Sequence, residues 1–364
     1  MLFRAFLSHI RKLDWVLIVS ILFLFGIGLL SIYSSSLGRG NFTNFQKQIF
    51  FGLIGFFLMI TLSFFNWRLL RDNPYFILII YFFVLISLVG LLFFAKEIRG
   101  VQKWYQLGIF SIDPAEFLQI ILIILFAKYF STKHIEMYRV KHLFLSGFYV
   151  LVPSFLLFLQ PDLGSVIVLL GLWVGILLIS GIKLRHFLIL ILAFVLIFAF
   201  SWNFLLRDYQ KARVISFLQP TDVLGSAWTQ NQTKIAIGSG GILGKGFGRG
   251  SQTQLGFLPE PQTDFIFSAI AEEFGLVGVF VLLSLFLILL WRIIKIALNS
   301  TNNFPRLFAA GLAILLLFNI FINLGMNVGI LPIIGIPLPL VSYGGSGLIS
   351  IFLGLGILQS FRVS

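Results

Sequence analysis

Residues 257–291 read FLPEPQTDFIFSAIAEEFGLVGVFVLLSLFLILLW. From Phe265 onward the stretch is apolar for long enough to cross a bilayer, which makes it a membrane helix. Its polar lead-in, stiffened by Pro259 and Pro261, delivers Asp264 to the start of that helix, and Glu272 and Glu273 follow two turns inside it. Carboxylates in or near a membrane helix are costly and by default mark function. Three within ten residues, in a chain with only 13 Asp and Glu in all, point to a site.

The rest of the chain repeats the apolar pattern. With 59% hydrophobic residues, 44 Phe and 11% charge, it lies far from soluble domains, whose charged fraction is about 25%. The expected fold is an all-α polytopic membrane protein. Ten transmembrane helices are placed near 15–34, 47–65, 75–95, 114–130, 143–160, 163–181, 185–205, 264–291, 306–327 and 342–361. They form one domain over 1–364, with a long extracytoplasmic loop, 206–263, between helices 7 and 8. With the N-terminus inside, 15 of the 26 Lys and Arg fall on the cytoplasmic side, and the short outer connections hold five. That bias puts both termini in the cytoplasm. The first span is too long to be a removed signal peptide, and no small-residue cleavage site accompanies it. The net charge of +13 follows from orientation and attraction to the anionic membrane surface, with no nucleic acid needed. The absence of cysteine excludes disulfides, thiolate metal sites and a cysteine nucleophile.

Three outer segments, 96–113, 206–263 and 328–341, hold most residues capable of chemistry. The first runs into RGVQKWYQLGIFSIDPAEF, Arg99 to Phe117, whose LGIF is too short to span and reads as a loop at the outer interface. Pro114 opens the fourth span, and Glu116 lies in its first turn, where the helix dipole favours a carboxylate. In the second, glycines 238, 240, 241, 244, 246, 248 and 250 surround Lys245 and Arg249. Glycines let amides approach an anion closely. The run is neither a Walker A nor a dinucleotide fingerprint, so an anion cradle and a plain flexible turn both remain open. In the third, MNVGILPIIGIPLPLVSYGGSG, Met326 to Gly347, the prolines and glycines predict non-helical backbone lining a cavity. That segment presents Ser342, Tyr343 and the amides of 344–347 at the start of the tenth span.

His9, His134, His142 and His186 all fall on the cytoplasmic side, so an outer-face base must be a carboxylate. Asp264 is the best placed, because partial desolvation raises a carboxylate toward base strength. Its structural alternative is an N-cap. Glu272 shares a helix face with Asp264 and needs a cationic partner, for which Lys245, Arg249 and Arg213 are the candidates. Asp162, in the QPDLGS turn between the fifth and sixth spans, is a cap or an outer-edge functional acid.

LGFLPEPQTDFIFSAIAEEFG, KIAIGSGGILGKGFGRG and GIPLPLVSYGGSG, together with FSIDPAEF and QPDLGS, resemble the SEDS family (shape, elongation, division and sporulation) over nearly the whole chain. The likeness is greater to the elongation branch than to the division branch. The resemblance implies a peptidoglycan glycosyltransferase that polymerises lipid II at the outer face of the bacterial cytoplasmic membrane. Asp264 would be its essential base, with Glu116 and Asp162 as substrate-site acids. It further implies dependence on a divalent cation, Mg²⁺ or Mn²⁺, a class B penicillin-binding protein as transpeptidase partner, and a place in the elongation machinery. Asp264 would take the proton from the acceptor sugar's hydroxyl in an inverting transfer. The departing undecaprenyl pyrophosphate would meet Arg99, Lys103, Arg213, Lys234, Lys245, Arg249 or the amides around Ser342, and Glu272 and Glu273 would support the site. Three positions depart from the family pattern: Gln262 for a His, Gln119 for a Lys that would pair with Glu116, and Asp113 for a Gln. The competing class is a lipid II flippase or transporter, against which stand the lack of inverted repeats and the gathering of acids at the outer face. A purely structural scaffold for cell-wall partners leaves the ordered polar loop unexplained.

Overall fold

A computed structural model describes residues 8–97, 101–108, 110–133, 140–204, 206, 208–219 and 225–363. Its helices are α1 (Trp15–Arg39), α2 (Thr43–Ser63), α3 (Pro74–Phe94), α4 (Pro114–Lys133), α5 (Val140–Leu159), α6 (Leu163–Ile179), α7 (Leu184–Phe204), α8 (Asp208–Leu218), α9 (Ser226–Ser239), α10 (Ile266–Asn299), α11 (Asn303–Val328) and α12 (Gly345–Val363). Among the described residues nine helices are long and apolar enough to cross a membrane, so the chain is a multi-pass membrane protein. The expected sixth span is the 17-residue α6, equally apolar but only about 26 Å long, at the lower limit for crossing.

The fold is not purely helical. In the first outer segment β1 (Tyr105–Leu107) and β2 (Phe110–Ile112) form an antiparallel hairpin, Tyr105 opposite Ile112. Within the LGIF sequence Leu107 ends the first strand and Phe110, paired with it, begins the second. The hairpin is pinned from below, where the Tyr105 hydroxyl donates to Ser87 O at 2.7 Å. Pro114 then opens α4 directly, as expected of a residue without an N–H to leave unsatisfied.

Close helix approach in the core depends on small residues, as it does generally in membranes. The Gly55 site in α2 lies under the Phe352 ring of α12, and Gly356 of α12 lies against Met59 and Leu62 of α2. In α1, Leu17, Ile21, Leu24 and Ile32 are buried at helical spacing, while Leu22, Phe23 and Leu30 face outward. No residue of α7 is buried. At the end of α1 remote from the acids, Asp14 caps the helix and is clamped by Arg292 of α10 and Arg362 of α12, each with a contact of 2.5 Å.

The long segment between α7 and α10 carries α8, α9 and a single turn at Ser251–Gln254. The eighth span begins later than expected, at Ile266, and is broken inside: Gly275 has φ 63° and ψ −162°, which a side chain would not tolerate. The glycine run repairs the break. Lys245 N and Gly246 N donate to the carbonyls of Glu272 and Glu273, and Leu276 N and Val277 N donate to those of Gly241 and Ile242. A Cβ on Gly244 would lie 2.1 Å from Glu273 O, and one on Gly240 would lie 2.0 Å from Ala271 O. Broken backbone inside a membrane protein persists when its polar groups are met in this way.

Candidate functional site

Asp264 is not the N-cap of α10. That position belongs to Phe265, which makes no side-chain cap bond, so Asp264 stands just outside the helix. Its neighbourhood is fixed through main-chain atoms. The Asp264 carbonyl accepts from Asn323 Nδ2 and Asn327 Nδ2, each at 3.0 Å, and the Thr263 carbonyl accepts from Ser342 Oγ at 2.6 Å. The Gln262 carbonyl accepts from Tyr343 N at 2.8 Å, while its side chain bridges Asn44 of α2 and Ser36 of α1. Asn327 Oδ1 also accepts from Ser268, tying the first turn of α10 to α11. Gly335, at φ 84°, faces the aspartate: a Cβ there would stand 3.3 Å from Asp264 Oδ2.

A lysine gathers the acids. Lys103 Nζ lies 3.5 Å from Asp113 Oδ2 and 3.5 Å from Asp162 Oδ2. The position is set by the hairpin and by Gln102 N, which donates to Gln160 O. Burial works against the ammonium, but the carboxylates of Asp162, Asp113, Glu116 and Asp264 outweigh it and hold the Lys103 pKa above the usual lysine value. For Asp113 the balance runs the other way. Burial pushes it up to about 6, Lys103 offsets part of the rise and Asp162 adds to it. Asp113 is held through its backbone N–H, donated to Ser346 Oγ, and through Oδ1, which accepts from Ala115 N. Asp162 caps α6, accepting from Ser165 N and Ser165 Oγ. Glu116 rests against the start of α12, where a Cβ on Gly347 would be 3.5 Å from its carboxylate. It thus sits in the first turn of α4 and at the N-terminus of α12, two positions favourable to negative charge.

The remaining expected residues fall elsewhere. Glu272 is turned away from this cluster into the glycine run. Its buried carboxylate accepts from Lys245 Nζ (2.9 Å), Ser251 Oγ, Gln252 N, Thr253 N and Thr253 Oγ1. The Lys245 ammonium and the amides of Gln252 and Thr253, just past the glycines, therefore serve the protein's own anion. Glu273 accepts from Ser34 Oγ of α1 at 2.5 Å and from Gln254 Nε2. Ser342 is internal, its hydroxyl donating to Thr263 O and accepting from Leu338 N. Lys234, exposed on α9, lies over Gly329 at the C-terminal end of α11. Arg213 is exposed on α8, Arg249 is exposed near the outer end of α1, and Arg99 lies outside the described residues.

Sequence reasoning missed Asn323 and Asn327. Their signal was present, since Asn319, Asn323 and Asn327 recur every four residues and so mark one polar face of an otherwise apolar helix. It also missed Gln48, whose side chain bonds Ser342 O and Gly344 N. For a divalent cation, no three acidic or histidine side chains among the described residues converge as ligands. Mg²⁺ needs only one or two carboxylates when substrate phosphates complete its shell. The surplus of carboxylates over the single Lys103 suits that mode.

The fold, with an acid cluster gathered at one end of its helices, defines a class of polytopic membrane protein, and comparison with known proteins identifies it. Residues 14–364 match the family model for FtsW, RodA and SpoVE, described as cell cycle protein, and the chain belongs to that family. It is 41% identical over 287 residues to the peptidoglycan glycosyltransferase MrdB of Escherichia coli K12, covering 78% of this chain and 76% of that protein. A chain of a peptidoglycan synthase complex studied for its coordination of polymerization and crosslinking superposes with a TM-score of 0.82 at 30% identity, covering 96% of this chain and 97% of that one. The rod shape determining protein RodA of Thermus thermophilus superposes at 0.71 with 29% identity, covering 96% of each chain.

Proposed function

We propose that this chain is a peptidoglycan glycosyltransferase that polymerises lipid II during cell elongation, with Asp264 as general base. The observation that carries the reading is the anchoring of Asp264 by main-chain bonds to α11 and the Pro-rich segment, beside a lysine that gathers Asp113, Asp162 and Glu116. Fixing the backbone of a base in this way limits the arc its carboxylate can sweep, and general base catalysis needs that carboxylate within hydrogen-bond reach of the proton it takes.

Asp264 accepts the proton of the acceptor sugar's hydroxyl as that oxygen attacks the donor's anomeric carbon with inversion. The electron pair of the breaking bond leaves with undecaprenyl pyrophosphate, already a stable anion, so no general acid is needed. Lys103 meets the charge that develops on that group. A divalent cation would add neutralisation at the phosphates, with Glu116 of the same cluster as its carboxylate ligand. Both termini lie in the cytoplasm, so the cluster opens to the outer face. A class B penicillin-binding protein, acting with the wider elongation machinery, would crosslink the product. The coupling of polymerization and crosslinking in the related complex supports that partner.

The test is glycan synthesis from lipid II by purified protein, with and without the transpeptidase, in Mg²⁺ or Mn²⁺. Asp264→Asn is expected to lower the rate by about 10²- to 10⁴-fold with melting behaviour unchanged. A wild-type protein that makes no glycan even with its partner, yet moves lipid II across vesicles, would replace the polymerase reading with the flippase one.

A further inference from the structure

A second feature lies on the other side of α1 and is used by nothing described so far. Between Val19 and Tyr33 an apolar groove of about 660 Å³ runs along the helix, its outer end bounded by Phe45 of α2. A hollow of about 360 Å³ reaches from Trp15 along Leu285 and Ile288 of α10 and shares Val19 and Phe23 with the first, so the two form one track. Its floor is open at Gly26, where a Cβ would meet nothing within 4 Å.

The dimensions select the occupant. Trp15 to Tyr33 is about 27 Å of helix, nearly the full hydrocarbon thickness of about 30 Å and well beyond a single leaflet. An ordinary acyl chain ends near the midplane, whereas a long isoprenoid chain continues past it. The larger groove, about 660 Å³ spread over roughly 21 Å of helix, is a long narrow furrow of the kind a single extended hydrocarbon chain follows. The outer end also has the chemistry of a headgroup site. Tyr33 is surrounded by Phe42, Phe45 and Phe247, and Arg39, Lys47 and Arg249 follow within a few residues of these rings. None of the three cations makes an ion pair or side-chain hydrogen bond with a described residue.

We propose that this track holds the chain of a polyprenyl diphosphate lipid, with its anionic head against Arg39, Lys47 and Arg249. The identity of the lipid rests on the function proposed above. The head end adjoins the acid cluster across one corner, because Gln262, two residues before Asp264, bonds both Ser36 of α1 and Asn44 of α2. A lipid seated in the track therefore waits beside the site with its chain already sorted from bulk lipid.

The experiment uses the full-length protein in phosphatidylglycerol-containing nanodiscs and an undecaprenyl diphosphate carrying a photoreactive group on its distal isoprene units. Crosslinks are mapped by mass spectrometry. Labelling is expected between residues 15 and 33, to persist in excess phosphatidylglycerol, and to fall about tenfold in Gly26→Trp and in Arg39→Gln/Lys47→Gln but not in Phe83→Trp on the far face of α3. Because the map is read first on the wild type, a poorly folded variant leaves the test intact. Absence of label from α1, displacement by phosphatidylglycerol, or a Gly26→Trp protein that keeps its label while losing the transpeptidase would each overturn the proposal. Label on α1 without glycan synthesis would uphold the track and overturn the polymerase reading, and glycan synthesis without label there would do the reverse.

Discussion

Asp113 and Lys103 show how finely the acid cluster is balanced. A carboxyl whose pKa is raised by folding, here from the ordinary value near 4 to about 6, contributes stability that is complete below the unfolded value and lost as pH rises through the folded one. Wild-type melting temperature is therefore expected to decline between about pH 4 and 7 through this group, and Asp113→Asn to flatten that decline. Lys103→Met removes the shared cation from two buried acids and is expected to destabilise by about 3 kcal/mol near neutrality, less once Asp113 is protonated below about pH 6. Melting curves across pH for the two variants check both statements. The places of Asp264, Glu116 and Asp162 at or beside the starts of helices were legible in the sequence. Their assembly around Lys103 was not, because Lys103 and Asp162 are 59 residues apart and meet only through the hairpin and the α5–α6 turn.

The repaired break in α10 is the least legible element. Gly275 sits in an apolar run, where glycine is common in membrane helices, and only the distant glycine run makes it a break. For the glycines of that run the sequence left an anion cradle and a flexible turn both open, and their positions now separate into two kinds. Gly244→Ala, at φ 80° with its Cβ 2.1 Å from Glu273 O, is expected to cost several kcal/mol and to disturb activity by loosening the backbone that holds α10. Gly238→Ala, helical and with open space around it, is expected to stabilise by up to about 1 kcal/mol. Thermal denaturation of the pair distinguishes a structural seam from a flexible turn, which would tolerate both changes alike.

Across the whole molecule, the apolar spans were readable because a membrane leaves few alternatives for a backbone, and the short α6 shows where length alone becomes a marginal criterion. The two ends of α1 divide the labour: the C-terminal end borders the acids, and the N-terminal end is fastened by Asp14 to Arg292 and Arg362. Asp14 is about 30 Å of helix from Ser34. Asp14→Ala is expected to lower stability by about 3 kcal/mol, and Arg362→Met by less, since Arg362 is 39% exposed. Both proteins should retain near wild-type polymerisation at temperatures where they remain folded, measured as glycan product per folded molecule.

The seam at Gly275 also bears on how such a protein is made. Chains emerge N-terminus first, so residues 241–254 leave the ribosome before Glu272 and Glu273. The donors that receive these two carboxylates already exist when the acids reach the membrane. An order reversed in the chain would send two naked charges into the insertion machinery ahead of their partners. The stretch from Lys245 to Gln254 therefore acts in time as well as in space, as a receiver synthesised in advance for the most costly part of the helix that follows it.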